Sequence, residues 1–190
     1  MDIEEVIFKR RTIRRFKSKP IPLDILKKLV DFGRVAPMGN NIQSIEFIIV
    51  KNQEMKEKLF PCLKWAGSLP EEMRVPEEGR RPSAYFIVLG NTIIKEEAVS
   101  DEGAAVQNIL LGAVKFGIGT CWMGAIDRDR IREIFNIPEQ YKVMHVISLG
   151  YPDENSVIEP YENSFKYWKD DQGVMHIPKR SLEDILYKIY

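Results

Sequence analysis

The feature that most constrains the fold is a long apolar segment between about Ser100 and Phe116. Its spacing predicts a helix with apolar side chains around much of its circumference. Those positions are Ala104, Ala105, Ile109, Leu110, Leu111, Ala113 and Val114. A surface helix carries only one apolar stripe, so this pattern predicts a helix in the centre of a domain. The rest of the chain must therefore supply a shell of elements around it.

Hydrophobic patterning predicts the elements of that shell. Runs rich in β-branched and aromatic residues predict buried strands at residues 45–50, 84–89 and 143–149. Helical spacing predicts shorter helices at residues 2–9, about 25–36, 53–65 and about 127–135, and an amphipathic helix after Ser181. Residues 153–180 are aromatic but irregular. Helices alternate unevenly with strands, which predicts an α+β or mixed α/β fold with one sheet and a buried helix.

Length and charge limit the class of protein. A chain of 190 residues fits a single domain, 1–190, and its 28 basic and 28 acidic side chains give no net charge. This balance argues against a nucleic-acid-binding surface, which would be strongly basic. No apolar run approaches the ~20 residues of a membrane helix and no leader-like segment is present, so we expect a cytoplasmic protein without membrane contact. The acidic, Gly- and Pro-rich residues 66–82 predict a mobile excursion that could act as a lid.

The first candidate for a binding site is a basic run near the N-terminus. Seven basic residues fall within eleven positions with no acid among them: Lys9, Arg10, Arg11, Arg14, Arg15, Lys17 and Lys19. A solvated face is the ordinary interpretation of such a run. Arginine, however, suits bidentate binding of phosphate. In an extended segment Arg10, Thr12 and Arg14 would share one face, which could hold a phosphate.

Two further segments could border a ligand. Gly117 and Gly119 lack the third glycine of a dinucleotide fingerprint, and a helix C-cap alone would explain Gly117. Trp122, Met123 and Gly124 nevertheless offer a flat surface beside a closely approachable backbone. Residues 37–43 carry amide side chains in a loop that could equally be a plain turn.

The sequence offers little support for a metal site or for side chains that act as a catalytic acid or base. Cys62, Cys121, His145 and His176 show no metal-ligand spacing, and two cysteines are too few for a disulfide framework. His145 lies within an apolar strand, which favours a satisfied core histidine over a catalytic one. An enzyme without evident acid–base residues is typically one whose cofactor carries the chemistry.

Taken in order, these segments resemble the nitroreductase family of flavin enzymes. The resemblance rests on six segments that span nearly the whole chain: Arg10–Phe16 for an Arg-Arg-Ser-x-Arg signature, Ala36–Gln43 for Ala-Pro-Ser-Gly-x-Asn-x-Gln, Asp101–Leu111 for the central helix, Gly117–Gly124, Leu149–Pro152 and Pro178–Arg180. The chain departs from the pattern at Met38, where a serine is common, at Ser44-Ile45, which replaces Pro-Trp, and at Gly124, where some members have glutamate. These departures concern substrate choice more than cofactor binding.

The resemblance implies FMN as the cofactor and gives each segment a role. Arg10, Arg11, Thr12 and Arg14 would bind the FMN phosphate and ribityl chain, with Lys179 and Arg180 closing the phosphate site. Pro37, Met38 and Gly39 would border the flavin, and Asn41 with Gln43 would contact it from the neighbouring subunit. Trp122, Met123 and Gly124 would line the ring, with the Gly124 N–H directed at flavin N5. No side chain would then serve as a catalytic residue, because the flavin carries the chemistry.

The resemblance also implies a fold, an assembly and a reaction. The fold is a central, mostly antiparallel sheet flanked by helices. The assembly is a homodimer with FMN sites at the interface and residues 153–190 as an arm that crosses to the partner. The reaction is reduction of a nitroaromatic, quinone or related small-molecule acceptor by NADH or NADPH, in a ping-pong hydride transfer through flavin N5. The alternatives are a flavin-binding or sensor dimer without turnover, and a nucleic-acid module that uses residues 9–19.

Overall fold

The computed structural model describes residues 1–190 as seven α-helices, seven strands and three short 3₁₀ turns. The helices are α1 (Ile3–Lys9), α2 (Leu23–Arg34), α3 (Gln53–Leu59), α4 (Glu71–Arg74), α5 (Val99–Lys115), α6 (Arg128–Phe135) and α7 (Leu182–Ile185). The strands are β1 (Ile45–Val50), β2 (Ala84–Asn91), β3 (Gly119–Met123), β4 (Tyr141–Gly150), β5 (Ser156–Pro160), β6 (Trp168–Lys169) and β7 (Met175–Lys179). None of the helices combines the length and hydrophobicity that crossing a bilayer requires.

Four strands form the main sheet in the order β1-β2-β4-β3, and every neighbouring pair is antiparallel. Phe47 of β1 lies opposite Val88 of β2, and Phe86 of β2 lies opposite Ile147 of β4. Successive side chains of a strand point to opposite faces. Phe86 and Val88 therefore enter one core, and Tyr85 enters a second core on the other face. The antiparallel α+β fold expected from the sequence is confirmed.

The central helix predicted by the sequence is α5, which packs with α2 against one face of the sheet. Ala105, Val106 and Ile109 are completely buried, whereas Gln107 and Lys115 reach the surface. The two helices approach closely at Gly112, where a Cβ atom would lie 2.2 Å from Cδ2 of Phe32. The prediction of a buried central helix is therefore confirmed.

The opposite face of the sheet is covered by α3, α6 and the chain that follows α3. Leu59 of α3 and Ile131 of α6 are fully buried there, together with Trp65. The sheet thus lies between two apolar layers. The candidate binding segments of the sequence lie next to two of these elements, α5 and the edge strand β3.

The sequence pattern misses four strands. Residues 119–123, interpreted as a segment leaving the helix, form the edge strand β3 of the main sheet. The tail predicted to be irregular forms a second sheet in the order β5-β7-β6, with β5 parallel to β7. These strands are two to five residues long and contain Pro160 and Pro178, so they give almost no alternating pattern.

Two predicted helices prove shorter. The helix expected at 53–65 ends at Leu59, and a 3₁₀ turn continues to Cys62, because Pro61 cannot donate to a longer helix. The final amphipathic helix has only one turn, α7, which Ser181 and Asp184 close with a capping box. Its apolar side chains are exposed in the single chain, and a helix without a packing surface is marginal at this length.

Residues 66–82 contain α4 and are attached to the rest of the fold at several points. The Arg15 guanidinium binds the Glu77 carboxylate at 3.0 Å and donates to the Met73 carbonyl oxygen at 3.0 Å. Arg80 donates to the Asp153 carboxylate at 2.6 Å. The Arg15 contacts tie the segment to the N-terminal basic run, and the Arg80 contact ties it to the chain after β4. Its role as a lid stays a prediction.

Candidate functional site

The N-terminal basic run is extended and lies along the free edge of β3. The Ile13 N–H donates to the Thr120 carbonyl oxygen at 2.9 Å, and Thr12 pairs with Thr120 as a parallel bridge. Gly119 permits this approach, because a Cβ there would lie 2.8 Å from the Ile13 side chain. The run therefore covers an otherwise unpaired strand edge and fixes the positions of its neighbours Arg10 to Arg14.

Arg14 carries the most informative side chain of the run. Its guanidinium is buried at 9% exposure, lies over the Tyr167 ring at 4.6 Å, and has no carboxylate partner. One of its nitrogens, Nη1, is buried without any hydrogen-bond partner. A buried charged donor left unpaired costs free energy, so an acceptor on a bound group would stabilise this nitrogen. A merely solvated face does not explain this geometry.

The neighbouring arginines divide into different roles. Neither Arg10 nor Arg11 forms an ion pair, and the nearest buried carboxylate, that of Glu154, accepts from the Arg14 backbone N–H at 2.6 Å rather than from its guanidinium. Burial, followed by the nearby Arg10 charge, lowers the pKa of Arg11, and Arg11 lines a cavity of about 380 Å³ together with Ile13. Arg15, by contrast, is held by Glu77, which makes it a structural residue.

The other end of β3 presents a different surface. Trp122 is 40% exposed, Met123 is buried and Gly124 is exposed beyond the strand end. From Thr120 to Gly124 an extended chain covers roughly 13 Å, at about 3.3 Å per residue. The basic run and the flat Trp122 surface therefore lie along one continuous strand, a spacing that could suit a ligand with a phosphate at one end and an aromatic ring at the other.

The loop at residues 37–43 is anchored on the N-terminus of α5. The Gly39 N–H donates to Asp101 Oδ1 at 3.0 Å, and Lys95 Nζ lies 2.5 Å from Oδ2. These two contacts hold the pKa of Asp101 below its ordinary value. The next residue of α5, Glu102, binds His145, which lies against Gly124. The loop and the Trp122 surface therefore meet near the same end of α5.

The individual side chains of this loop lie mostly at the surface. Met38 is half-buried and packs against the α2–α5 core, whereas Pro37 and Gly39 are exposed. Asn41 adopts φ 57°, and Gln43 donates to the Asn41 carbonyl oxygen at 3.4 Å. The exposed amides are free to face another molecule.

Lys179 is the last residue of β7, and Arg180 follows it. Both are exposed, and no hydrogen bond or ion pair joins either side chain to the N-terminal basic run. Arg180 instead donates to the backbone carbonyl of Asp184. The single chain does not bring this pair to Arg14.

Sequence reasoning missed three residues of the site. His145, expected in the core, is 29% exposed in its side chain and binds the buried Glu102 at 2.5 Å. Arg128 of α6 donates to the Gly124 carbonyl oxygen at 3.2 Å. A signal was available for Glu102, since an acid on a helix that is apolar all round needs a buried partner.

Cys121 lies in β3 between the two ends of the site, but its thiol is fully enclosed. Burial raises the pKa of this thiol to about 11, although the nearby Arg14 charge opposes the shift. The thiol therefore stays protonated near neutral pH and is a poor nucleophile. Its contribution is to packing.

Comparison with known proteins identifies the fold and the family. The family model described as "Nitroreductase family" matches residues 7–151. A protein of Methanothermobacter thermautotrophicus named "Putative NADH dehydrogenase/NAD(P)H nitroreductase" is 34% identical over 161 residues, which cover 82% of this chain and 80% of that protein.

Two solved structures share the fold. A nitroreductase family protein from Clostridium novyi NT has a TM-score of 0.67 and 25% identity, covering 97% of this chain and 98% of its own. An FMN-dependent nitroreductase from Clostridium difficile R20291 has a TM-score of 0.67 and 24% identity, covering 80% and 88%. The resemblance inferred from the sequence motifs is confirmed: the chain belongs to the nitroreductase family.

Proposed function

We propose that the protein is an FMN-dependent oxidoreductase that uses NADH or NADPH to reduce nitroaromatic, quinone or related acceptors in a ping-pong reaction. The observation that carries this proposal is the buried, unpaired guanidinium of Arg14 on the same edge as Trp122 and Gly124. Membership of the family and the NAD(P)H nitroreductase name of its 34% identical relative agree with it.

The residues along the edge of β3 fit FMN chemically. A phosphate ester carries nearly two negative charges and accepts bidentate hydrogen bonds from guanidinium groups. Arg10 and Arg14 would hold this group with the Thr12 hydroxyl, and Arg11 would add positive charge from the opposite face. In an assembled site Lys179 and Arg180 would close around the same phosphate.

The flavin ring would lie beside Trp122 and Met123, bordered by Pro37, Met38 and Gly39. When bound, FMN supplies the hydride chemistry that no side chain here can perform. The Gly124 N–H would be directed at flavin N5, and Arg128 donates to the Gly124 carbonyl oxygen, which belongs to the next peptide of the chain. NAD(P)H and the acceptor would occupy the same space in turn, which makes the kinetics ping-pong.

The chain's exposed apolar residues support a homodimer. The final ten residues leave several large side chains without partners: Leu182, Ile185, Leu186, Tyr187, Ile189 and Tyr190. Tyr187, for example, is 99% exposed. An apolar terminal segment of this kind is typical of an arm that packs on a second subunit. In such a dimer Asn41 and Gln43 would contact the flavin of the partner. Of the expected arm, residues 153–190, the part that would reach the partner is 182–190, because Met175 is buried in the core of its own chain.

Steady-state kinetics test the proposed reaction. We expect parallel double-reciprocal plots when NADH or NADPH is varied at several quinone concentrations, because the reduced enzyme is a true intermediate. Intersecting plots would contradict the ping-pong order. A yellow protein that oxidises neither nucleotide with any acceptor would instead indicate the flavin-binding or sensor dimer. The cytoplasmic location expected from the sequence stays a prediction.

A further inference from the structure

His145 and Glu102 form a buried pair that the flavin chemistry described above does not use. The Glu102 carboxylate is 1% exposed, in the first turn of α5, and its side-chain partner is Nδ1 of His145 at 2.5 Å. A carboxylate on Nδ1 fixes the orientation of the ring. The other ring nitrogen, Nε2, makes no hydrogen bond. It is therefore the atom of this pair that can exchange a proton.

The side chain of His145 points out of the core, toward Trp122 and Gly124. The β2–β4 register shifts beside it: Val88 pairs with His145, whereas Leu89 pairs with Val143. Such bulges re-aim side chains and are frequent beside active sites. Here the irregularity leaves His145 half-exposed in a stretch of β4 that is otherwise buried from Val143 to Gly150.

Nε2 of His145 lies beside Gly124, whose N–H is the group expected to face flavin N5. A Cβ atom on Gly124 would be 3.0 Å from Nε2 and 3.0 Å from Cδ2 of the imidazole. The Trp122 ring meets the imidazole edge-on, with 5.3 Å between ring centroids. The Nε2 edge of His145, the Trp122 ring and the Gly124 backbone are thus neighbours.

A second contact fixes the same geometry from the side of α6. Arg128 donates to the carbonyl oxygens of Val143 and Met144, at 3.1 Å and 2.9 Å, and to that of Gly124. It therefore ties the irregular part of β4 to the end of β3. The charged partner of His145 is Glu102 from α5, and Val88 of β2 and Trp122 of β3 are its uncharged neighbours. Arg128 from α6 binds the backbone of the two residues that precede His145 and the backbone at Gly124.

We propose that His145, held by Glu102, is the proton donor to the acceptor reduced at this site. This inference rests on the proposed function and extends it from hydride to proton transfer. Reduction of a quinone by NADH or NADPH requires a hydride and a proton for each hydroquinone formed. The nucleotide would supply the hydride, and bound FMN would carry it. The proton leaves Nε2 of His145 as an O–H bond forms on the acceptor, the N–H electron pair stays on Nε2, and water then reprotonates the ring.

The test compares an acceptor that needs a proton with one that does not. Ferricyanide accepts electrons without protons, so the ratio of the quinone rate to the ferricyanide rate isolates the proton step. General acid catalysis typically contributes about 100-fold or more, so His145→Gln should lower this ratio by about that factor. Glu102→Gln should lower it less, because the ring remains but loses its carboxylate. An unchanged ratio in a variant that still binds FMN would overturn the inference.

A readout independent of turnover accompanies this test. In the protein without flavin, the short Nδ1–H to carboxylate hydrogen bond should give a far-downfield proton resonance, which both variants remove. Absence of this resonance in the unaltered protein would refute the His145–Glu102 hydrogen bond and with it the inference. If His145→Gln does not fold, Glu102→Gln gives the decisive ratio. A protein that binds no FMN would instead refute the proposed function, so the two failures are distinguishable.

Discussion

Replacement of Arg14 by methionine should have opposite effects on stability and on cofactor binding. Without a ligand, Arg14 buries a nitrogen that has no hydrogen-bond partner. An unsatisfied buried polar group costs about 1–3 kcal/mol, and the contact with Tyr167 returns about 0.5–1 kcal/mol. Methionine fills similar space without this cost. We therefore expect the free energy of unfolding of the flavin-free protein to stay constant or rise by up to about 2 kcal/mol.

The same change should weaken FMN binding strongly. A hydrogen bond to a charged group contributes about 1.5–3 kcal/mol. Loss of one such bond to the phosphate corresponds to a Kd that is about 10- to 150-fold higher. Urea unfolding of the flavin-free protein measures the first effect, and quenching of FMN fluorescence measures the second.

Arg15→Met is the matched control. Arg15 is also buried, and although its Nη1 likewise lacks a hydrogen bond, its Nε and Nη2 already bind the Glu77 carboxylate and the Met73 carbonyl oxygen. Its loss should destabilise the flavin-free protein by about 1–3 kcal/mol. FMN affinity should change much less than in Arg14→Met. Equal destabilisation by the two variants, or unchanged FMN affinity in Arg14→Met, would refute the assignment of Arg14 to the phosphate.

Three further predictions follow from other contacts. Gly112→Ala places a Cβ atom 2.2 Å from Phe32, so overpacking should destabilise the protein by about 1–3 kcal/mol in urea unfolding, and no loss would contradict the α2–α5 packing. Because the pKa of Asp101 is lowered in the folded state, its carboxylate stabilises the fold at neutral pH, and this contribution should disappear as pH falls through the folded-state value. In Asp101→Asn the free energy of unfolding should therefore depend less on pH below about 4. Deletion of residues 182–190 should halve the mass measured by light scattering, and an unchanged dimer would exclude these residues as the essential interface.

The buried elements were predictable because their side chains report their surroundings directly. The unbroken apolar pattern of α5 and the β-rich runs of β1, β2 and β4 each need a core on more than one side. β3 escaped prediction because its five residues include a glycine, and its outer edge pairs with Thr12, far away in sequence. The C-terminal sheet escaped because its parallel β5–β7 pair likewise depends on non-local contacts.

The candidate site was predictable only in part, for a related reason. Charge and glycine spacing located Arg14 and Gly124, but nothing in the sequence separates Arg14, which has no carboxylate partner, from Arg15, which has one. That distinction depends on Glu77, sixty-two residues away. His145 was predicted to be a core residue because an apolar strand surrounds it. The register shift that turns it outward appears only when β2 and β4 are paired.

An anaerobic spectral titration tests the central claim most directly. The purified protein, supplied with FMN and freed of excess, should retain the yellow flavin absorbance. This absorbance should bleach on addition of NADH or NADPH and return on addition of a quinone, in the absence of oxygen. Such a cycle requires the site along β3 to hold the flavin and to admit both substrates. A protein that retains no FMN, or whose bound flavin neither nucleotide bleaches, would contradict the account.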